Sequence, residues 1–264
     1  MRTQLPEWMT SEFTVIRTDR TTAVVRNDFV DSFHRYRLVD CTRAPLLSLP
    51  ETEQEPAGSR GEISGGRGGV RIVPAGPLGE AVVRPYRRGG LVEKINRRTY
   101  FFGNRAFSEL VVTYRLWKRE VPVPEVLAAI QSEVRPGYVA CLVTRRIPKA
   151  RSAAAVLSDA SAARRAIVLE SMGRAIRLLH EAGGVHADLN AHNIVVPEEG
   201  DGPAYVIDLD RASVLTGPVP ERVARSNLRR LRRSLLKLGL GDALADWDHL
   251  ERGYAAPPQP PPAA

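Results

Sequence analysis

The sequence predicts an α+β fold in two lobes: a β-rich N-lobe over residues 1–129, with a flexible loop at about 50–69, and a mainly helical C-lobe over residues 130–254. Three observations predict it. Short apolar, β-branched runs bounded by polar turns fill much of the first half. Apolar residues at helical spacing dominate the second. Between two of those helical patterns lies a short loop dense in acids, amides and histidines, Gly184-Val-His-Ala-Asp-Leu-Asn-Ala-His-Asn193, which runs into two apolar strands. At 264 residues and 43% hydrophobic, the chain is long enough for one large domain or two small lobes sharing a cleft.

The elements follow in order. Phe13-Thr-Val-Ile16 and Thr22-Ala-Val-Val25 flank a polar turn and read as a hairpin. Residues 50–69 are rich in Glu, Gly, Ser and Pro, and end in Gly65-Gly-Arg-Gly-Gly69. Gly66 and Gly68 there let backbone amides approach a phosphate closely, so the run is either a plain linker or a nucleotide lid. Glu80-Ala-Val-Val-Arg84 is a strand. Asn104 to Lys118 carries Phe107, Val111 and Tyr114, with Leu110 and Trp117 beside them, at helical spacing, and Pro122 and Pro124 end that helix. Tyr138 to Thr144 is a strand leading into Arg145-Arg-Ile-Pro148. Val168, Met172, Ala175, Ile176 and Leu179 form one face of a helix that Gly183-Gly184 terminates, delivering the chain to His186. Ile194 to Val196 and Tyr205-Val-Ile form a hairpin with Pro197 to Pro203 as its turn. Ala224, Leu228, Leu231, Leu235 and Leu238 line one side of a helix whose other surface is crowded with arginines. Residues 255–264, rich in Pro and Ala, are expected to be a disordered tail.

The loop at His186 carries the chemistry. His186, Asp188, Leu189 and Asn193 keep the spacing of the protein-kinase pattern H-R-D-L-x-x-x-N, and Asp208 stands where the aspartate of D-F-G follows it. The fold class expected is therefore protein-kinase-like. Phosphoryl transfer needs a carboxylate that orients the attacking hydroxyl and takes its proton, and oxygen ligands that hold magnesium against the nucleotide phosphates. Asp188 fits the first role; Asn193 and Asp208 fit the second as Mg2+ ligands. His186 reads as a packed scaffold residue, because a carboxylate two positions on already serves as base. Two departures bear on the acceptor. Leu189-Asn190 follows Asp188 where Ser/Thr protein kinases carry a lysine two residues on, and Asp210 replaces the glycine of D-F-G. No A-P-E sequence follows, and the short, Pro-containing stretch from Arg211 to Pro220 leaves little room for a peptide-docking loop. A small-molecule or glycolipid acceptor is favoured.

His186-Ala-Asp-Leu-Asn-Ala-His-Asn193 with Ile207-Asp-Leu-Asp210 resembles the bacterial 3-deoxy-D-manno-octulosonic acid (Kdo) kinases of the lipopolysaccharide kinase group. Arg84-Pro-Tyr-Arg-Arg-Gly-Gly-Leu91, Arg105-Ala-Phe-Ser-Glu109, Val121-Pro-Val-Pro124, Arg145-Arg-Ile-Pro148 and Asn227-Leu-Arg-Arg-Leu-Arg-Arg-Ser234 agree with it, in order, from about Val82 to Tyr254. The resemblance implies ATP-dependent phosphorylation of a Kdo hydroxyl on a lipid A precursor. It aligns Arg84 with the phosphate-binding lysine of kinases, in preference to Lys94, and makes Glu109 its helix partner. It also puts the hinge over the adenine at Arg145-Arg-Ile-Pro148, with Arg146 among the nucleotide-binding residues.

A formal charge of +8 points to an anionic partner. Few aromatics interleave with the basic runs, which argues against a nucleic-acid stacking surface. Arg229, Arg230, Arg232 and Arg233 are either free to meet lipid phosphates and an anionic membrane surface or form a solvated face. No apolar run approaches the roughly 18 residues of a membrane span, and residues 1–9 lack a signal-peptide core, so the expected location is cytoplasmic and peripheral on the inner membrane. Cys41 and Cys141 stand isolated, without metal-ligand spacing or a disulfide framework. The rival readings are a heptose or aminoglycoside-type kinase and, outside enzymes, a pseudokinase or a basic nucleic-acid-binding module.

Overall fold

Short apolar runs, three of them buried almost throughout, build an antiparallel sheet. The structure is a computed structural model that describes residues 6–42, 70–86, 105–134, 137–198 and 200–257. Gly66, Gly68, Lys94 and the tail beyond residue 257, all subjects of the sequence reading, lie outside the described residues. The chain divides into two compact units, Met1–Leu110 with Val126–Arg146, and Val111–Glu125 with Ile147–Ala264.

The first unit holds β1 (Phe13–Arg17), β2 (Thr21–Arg26), a short helix α1 (Val30–Arg35), β3 (Arg71–Pro74), β4 (Glu80–Pro85), the first turns of α2 (Arg105–Trp117), β5 (Val126–Val134) and β6 (Gly137–Arg145). The strands form one sheet in the order β1-β2-β5-β6-β4-β3, each neighbouring pair antiparallel. Ala23, Val25, Ile130, Cys141, Val143, Val83 and Val73 lie in one core with Phe29, Phe33 and Leu38 from the stretch around α1. The boundary expected at Ala129 falls inside β5, and the first compact unit runs on to Arg146. β5 drew no strand prediction because it is buried nearly throughout, so Val126-Leu-Ala-Ala-Ile lacks the alternation that marks a half-buried strand.

Cys41 and Cys141 are not isolated in space. Both are buried and free, and the Cys141 Sγ reaches the Cys41 carbonyl at 3.7 Å. The hydrogen bond with the Cys141 side chain, and then burial, push the Cys41 thiol well up. A hundred residues of intervening chain conceal such a contact from spacing arguments.

The second unit begins with the last turns of α2 and continues through β7 (Ala150–Ser152), α3 (Ala153–Asp159), α4 (Ala162–Glu181), β8 (Gly184–Val185), β9 (Ile194–Pro197), β10 (Tyr205–Val206), β11 (Ser213–Val214), α5 (Glu221–Lys237), α6 (Gly241–Ala245) and α7 (Trp247–Ala255). Ser152 and Ser161 cap α3 and α4 by accepting from the backbone N–H groups of Ala155 and Arg164. Leu169, Met172, Ile176 and Leu179 of α4 share a core with Leu189, Ile194, Val206, Leu231, Leu235 and Leu250. α4 and α7 cross at two glycines. A Cβ on Gly173 would meet the Leu250 carbonyl oxygen and lie 2.7 Å from the Tyr254 nitrogen, and a Cβ on Gly253 would lie 2.9 Å from the Glu170 Cα. Gly183, at φ +78°, ends α4 in the left-handed conformation that glycine adopts without strain. β9 pairs antiparallel with β10, as the predicted hairpin requires.

Candidate active site

The loop from β8 to β9 owes its shape to side chains that bond its own backbone. The Asp188 N–H donates to His186 Nδ1 at 3.0 Å, which makes Nδ1 an acceptor and places the ring proton on Nε2. Nε2 then donates to the Ile207 carbonyl at 3.1 Å. His186, 1% exposed, thus ties the loop to the segment that carries Asp208. This is the scaffold role predicted for it.

Asn190, read from sequence only as the absence of a lysine, is the loop's central brace. Its Oδ1 accepts from the N–H groups of His192 (2.9 Å) and Asn193 (3.3 Å), and its Nδ2 donates to the Asp188 carbonyl (3.0 Å) and Oδ2 (3.3 Å). An Asn whose side chain satisfies the backbone two residues on is a recognisable turn former, and that signal was available in Asn190-Ala-His. Asn193 Nδ2 donates to the Asp188 carbonyl at 2.9 Å, which leaves Oδ1 as the acceptor of its side chain. The Asn193 carbonyl accepts from the Ile207 N–H at 2.9 Å, so β9 and the Asp208 segment are joined at the site itself.

Asp208 sits at φ +59°, a conformation that costs a non-glycine residue energy but is more open to Asp than to most. Asp188 and Asp208 line one cavity of about 350 Å³ with Ala187, Asp210, Arg211 and Arg230. Asp188 is exposed, with 72% of its side chain accessible, and Arg230 Nη1 lies 3.9 Å from its Oδ1. Among the described residues no group of three or more His, Cys, Asp or Glu side chains is disposed to hold a metal by itself. The donor set is one amide oxygen and one carboxylate, which suits magnesium, since that ion takes one or two protein oxygens and completes its shell with phosphate and water.

α5 fastens this loop from beneath. Asn227 Nδ2 donates to the His186 carbonyl at 3.1 Å, so its Oδ1 faces His180 Nε2, 3.2 Å away, as an acceptor. His180 therefore carries its proton on Nε2, and its Nδ1 accepts from the Tyr254 hydroxyl at 2.9 Å. Burial, foremost, holds His180 below its usual basicity, against the raising effect of Asn227, and burial raises the Tyr254 phenol. About two turns further along α5, the Ser234 hydroxyl accepts from the Ala191 N–H at 3.0 Å. The sequence reading missed His180, Asn227, Ser234 and Tyr254 as a group, because they meet only in three dimensions.

The helix itself differs from its predicted stripe. Ala224, Asn227, Leu231 and Leu235 are buried, Leu228 is partly so, and Leu238 lies past the helix end and is exposed. Nor do the four arginines act alike: Arg230 turns to Asp188, and Arg232 lies over the Trp247 ring, 6.0 Å from its centroid.

In the first unit, Arg84 and Glu109 are brought together, Nη2 to Oε1 at 2.5 Å. Glu109 is only 3% exposed and also accepts from the Tyr86 hydroxyl. Tyr86 follows directly on β4, two residues after Arg84, and both the Arg84 and Arg105 guanidiniums lie over its ring, 5.0 and 5.8 Å from the centroid. That period-two placement was the signal that could have found Tyr86. Arg146, expected at the adenine hinge, pairs with Glu80, Nη1 to Oε2 at 2.6 Å, while its backbone N–H donates to the Glu80 carbonyl at 2.8 Å.

The model of the "Lipopolysaccharide kinase (Kdo/WaaP) family" matches residues 52–254. A protein of Xanthomonas campestris pv. campestris (strain B100) called 3-deoxy-D-manno-octulosonic acid kinase is 41% identical over 198 residues, 72% of this chain and 76% of that protein. One of the same name from Stenotrophomonas maltophilia (strain R551-3) is 38% identical over 199 residues, 72% of this chain and 76% of its own length. Among solved structures, WaaP in complex with acyl carrier protein is similar over 89% of each chain, with a TM-score of 0.54 and 17% identity, a likeness of fold.

Proposed function

Because the chain belongs to the lipopolysaccharide kinase (Kdo/WaaP) family, we propose that it transfers the γ-phosphoryl group of ATP to a hydroxyl of a Kdo sugar on a lipid A precursor. It is a phosphotransferase with a sugar hydroxyl as acceptor, the class its relatives are named for. The observation that carries the mechanism is the single hydrogen-bonded framework of His186, Asn190 and Asn193 around an exposed Asp188, with Asp208 on the adjoining segment.

Asp188 orients the acceptor hydroxyl and takes its proton as the oxygen attacks phosphorus. Asn193 Oδ1 and the Asp208 carboxylate would hold Mg2+, which when bound would shield charge on the phosphates. Arg84, steadied by Glu109 and Tyr86, contacts the nucleotide phosphates; its fork of donors suits oxygen pairs on phosphate. No helix among the described residues is long and apolar enough to cross a membrane. A lipid acceptor is instead met at the surface by α5, where Arg229 and Arg233 are exposed beside Leu236, itself 66% exposed.

The test is transfer from labelled ATP, with magnesium, to Kdo-bearing lipid, heptose-bearing core oligosaccharide and a generic protein. Label is expected in the Kdo lipid and is expected to fall on the order of a hundredfold or more in Asp188→Asn. Label in the heptose acceptor alone would replace the assigned substrate. Undiminished transfer in Asp188→Asn would remove the assigned base.

A further inference from the structure

We propose that Arg230 is the specificity residue of this site and binds a carboxylate on the acceptor sugar, beside the hydroxyl that Asp188 activates. The inference rests on the kinase reading above and names the acceptor class, a sugar acid, by the chemistry of the pocket.

Arg230 reaches the cavity from α5, not from the catalytic loop. Its approach to Asp188, 3.9 Å, is more distant than the closed ion pairs of the same unit, such as Arg165 Nε with Asp246 Oδ2 at 2.9 Å or Arg174 Nη1 with Glu170 Oε1 at 2.7 Å. At that separation the two groups attract but share no hydrogen bond. Arg230 is 44% exposed, and Asp188 is its one anionic partner among the described residues. A guanidinium has five donors in a planar fork and is made for a carboxylate taken edge-on.

The loop has no cation of its own to offer. Asn190 stands two residues after Asp188, and its amide is spent on the loop backbone and on Asp188 Oδ2. The cavity wall meanwhile carries three carboxylates, Asp188, Asp208 and Asp210, against Arg211 and Arg230. A carboxylate brought up to Asp188 is repelled by it unless a cation sits beside the two, and Arg230 is the cation that stands there. An acceptor hydroxyl within hydrogen-bond reach of Asp188 brings the substituents of its own ring to Arg230, because the base and the guanidinium are 3.9 Å apart. A sugar acid places a carboxylate on that ring; a neutral sugar leaves Arg230 unused.

The experiment uses the full chain and the variants Arg230→Gln and Arg230→Lys. Binding of free Kdo and of its methyl ester is measured by calorimetry, and phosphoryl transfer is measured with Kdo lipid and its carboxamide analogue. Arg230→Gln is expected to weaken Kdo binding and lower kcat/KM for the acid about 10- to 100-fold, chiefly through KM, as for loss of a hydrogen bond to a charged group. The preference for acid over ester or amide should shrink toward unity, the KM for ATP should hold, and Arg230→Lys should recover part of the loss. An unchanged preference in Arg230→Gln overturns the proposal, and so does an equal loss with charged and neutral acceptors or a raised KM for ATP, which would place Arg230 on the transferring phosphate. Binding of Kdo that depends on Arg230 without transfer would sustain the subsite and sink the kinase reading. Arg230-independent transfer to Kdo lipid would do the reverse.

Discussion

Asn227 is where one substitution tests the most structure. Asn227→Ala deletes the acceptor of the His180 Nε2–H and the donor to the His186 carbonyl in a side chain only 5% exposed. Two buried polar groups lose their partners, and each such loss costs about 1–3 kcal/mol, so the sum is about 2–6 kcal/mol. In a chain of this size each kcal/mol moves the unfolding midpoint by about 2–4 °C, so a fall on the order of 10 °C is expected. Asn227→Asp isolates one of the two bonds: it keeps an acceptor for His180 but turns a carboxylate oxygen on the His186 carbonyl. Both variants should also slow phosphoryl transfer at temperatures well below their midpoints, because the His186 carbonyl that anchors the catalytic loop is released. Thermal unfolding by circular dichroism at pH 8, with initial rates at low temperature, measures both effects. If Asn227→Ala unfolds within about 1 °C of the parent and keeps its turnover, the polar chain from Tyr254 to His186 contributes nothing and the reasoning fails.

Asp208→Ala should weaken magnesium-dependent ATP binding more than Asp210→Ala, since Asp208 occupies the metal-ligand position and Asp210 that of a glycine; titration calorimetry with and without magnesium decides it, and equal losses would mean that both ligate. His180 gives a pH signature. Its folded-state pKa is lowered from 6.5, so its share of stability is intact above about pH 6.5 and is lost as pH falls from there through the folded value. Subtracting the pH dependence of the unfolding midpoint of His180→Gln from that of the parent should therefore leave a decline confined to acid pH, and a flat difference would contradict the assignment. Gly173→Ala should destabilise by about 1–3 kcal/mol or more by forcing α7 away from α4, whereas Gly239→Ala, where nothing lies within 4 Å of the added carbon but φ is +71°, tests backbone strain alone.

Much of the site was legible because the catalytic loop is local. Asp188, Asn190 and Asn193 interact within five residues, and their spacing states their geometry. The pairing of Arg84 with Glu109 was legible too, but only through the family resemblance, since twenty-five residues separate them. What spacing cannot encode is which distant polar groups share a buried region. Asn227 looked like one more polar position on a basic helix, and Arg230 like one arginine in a run of four. Their roles depend on the rotation of α5 about its axis, which the stripe of Ala224, Leu228 and Leu231 fixed only to within a neighbouring residue. β5 failed for the opposite reason: uniform burial erased its periodicity.

The two fastenings of α5, Asn227 to His186 and Ser234 to Ala191, lie seven positions apart and both hold the catalytic loop, while Arg230 stands between them over Asp188. A helix advances about 100° per residue, so one residue inserted or deleted between Asn227 and Ser234 would swing one fastening out of reach of the loop. Two heptad-spaced anchors thus make the length of this segment far less free to vary than its charge. Drift among descendants of this chain should exchange arginines for other side chains on the outer face of α5 long before it changes the count of residues between the two anchors.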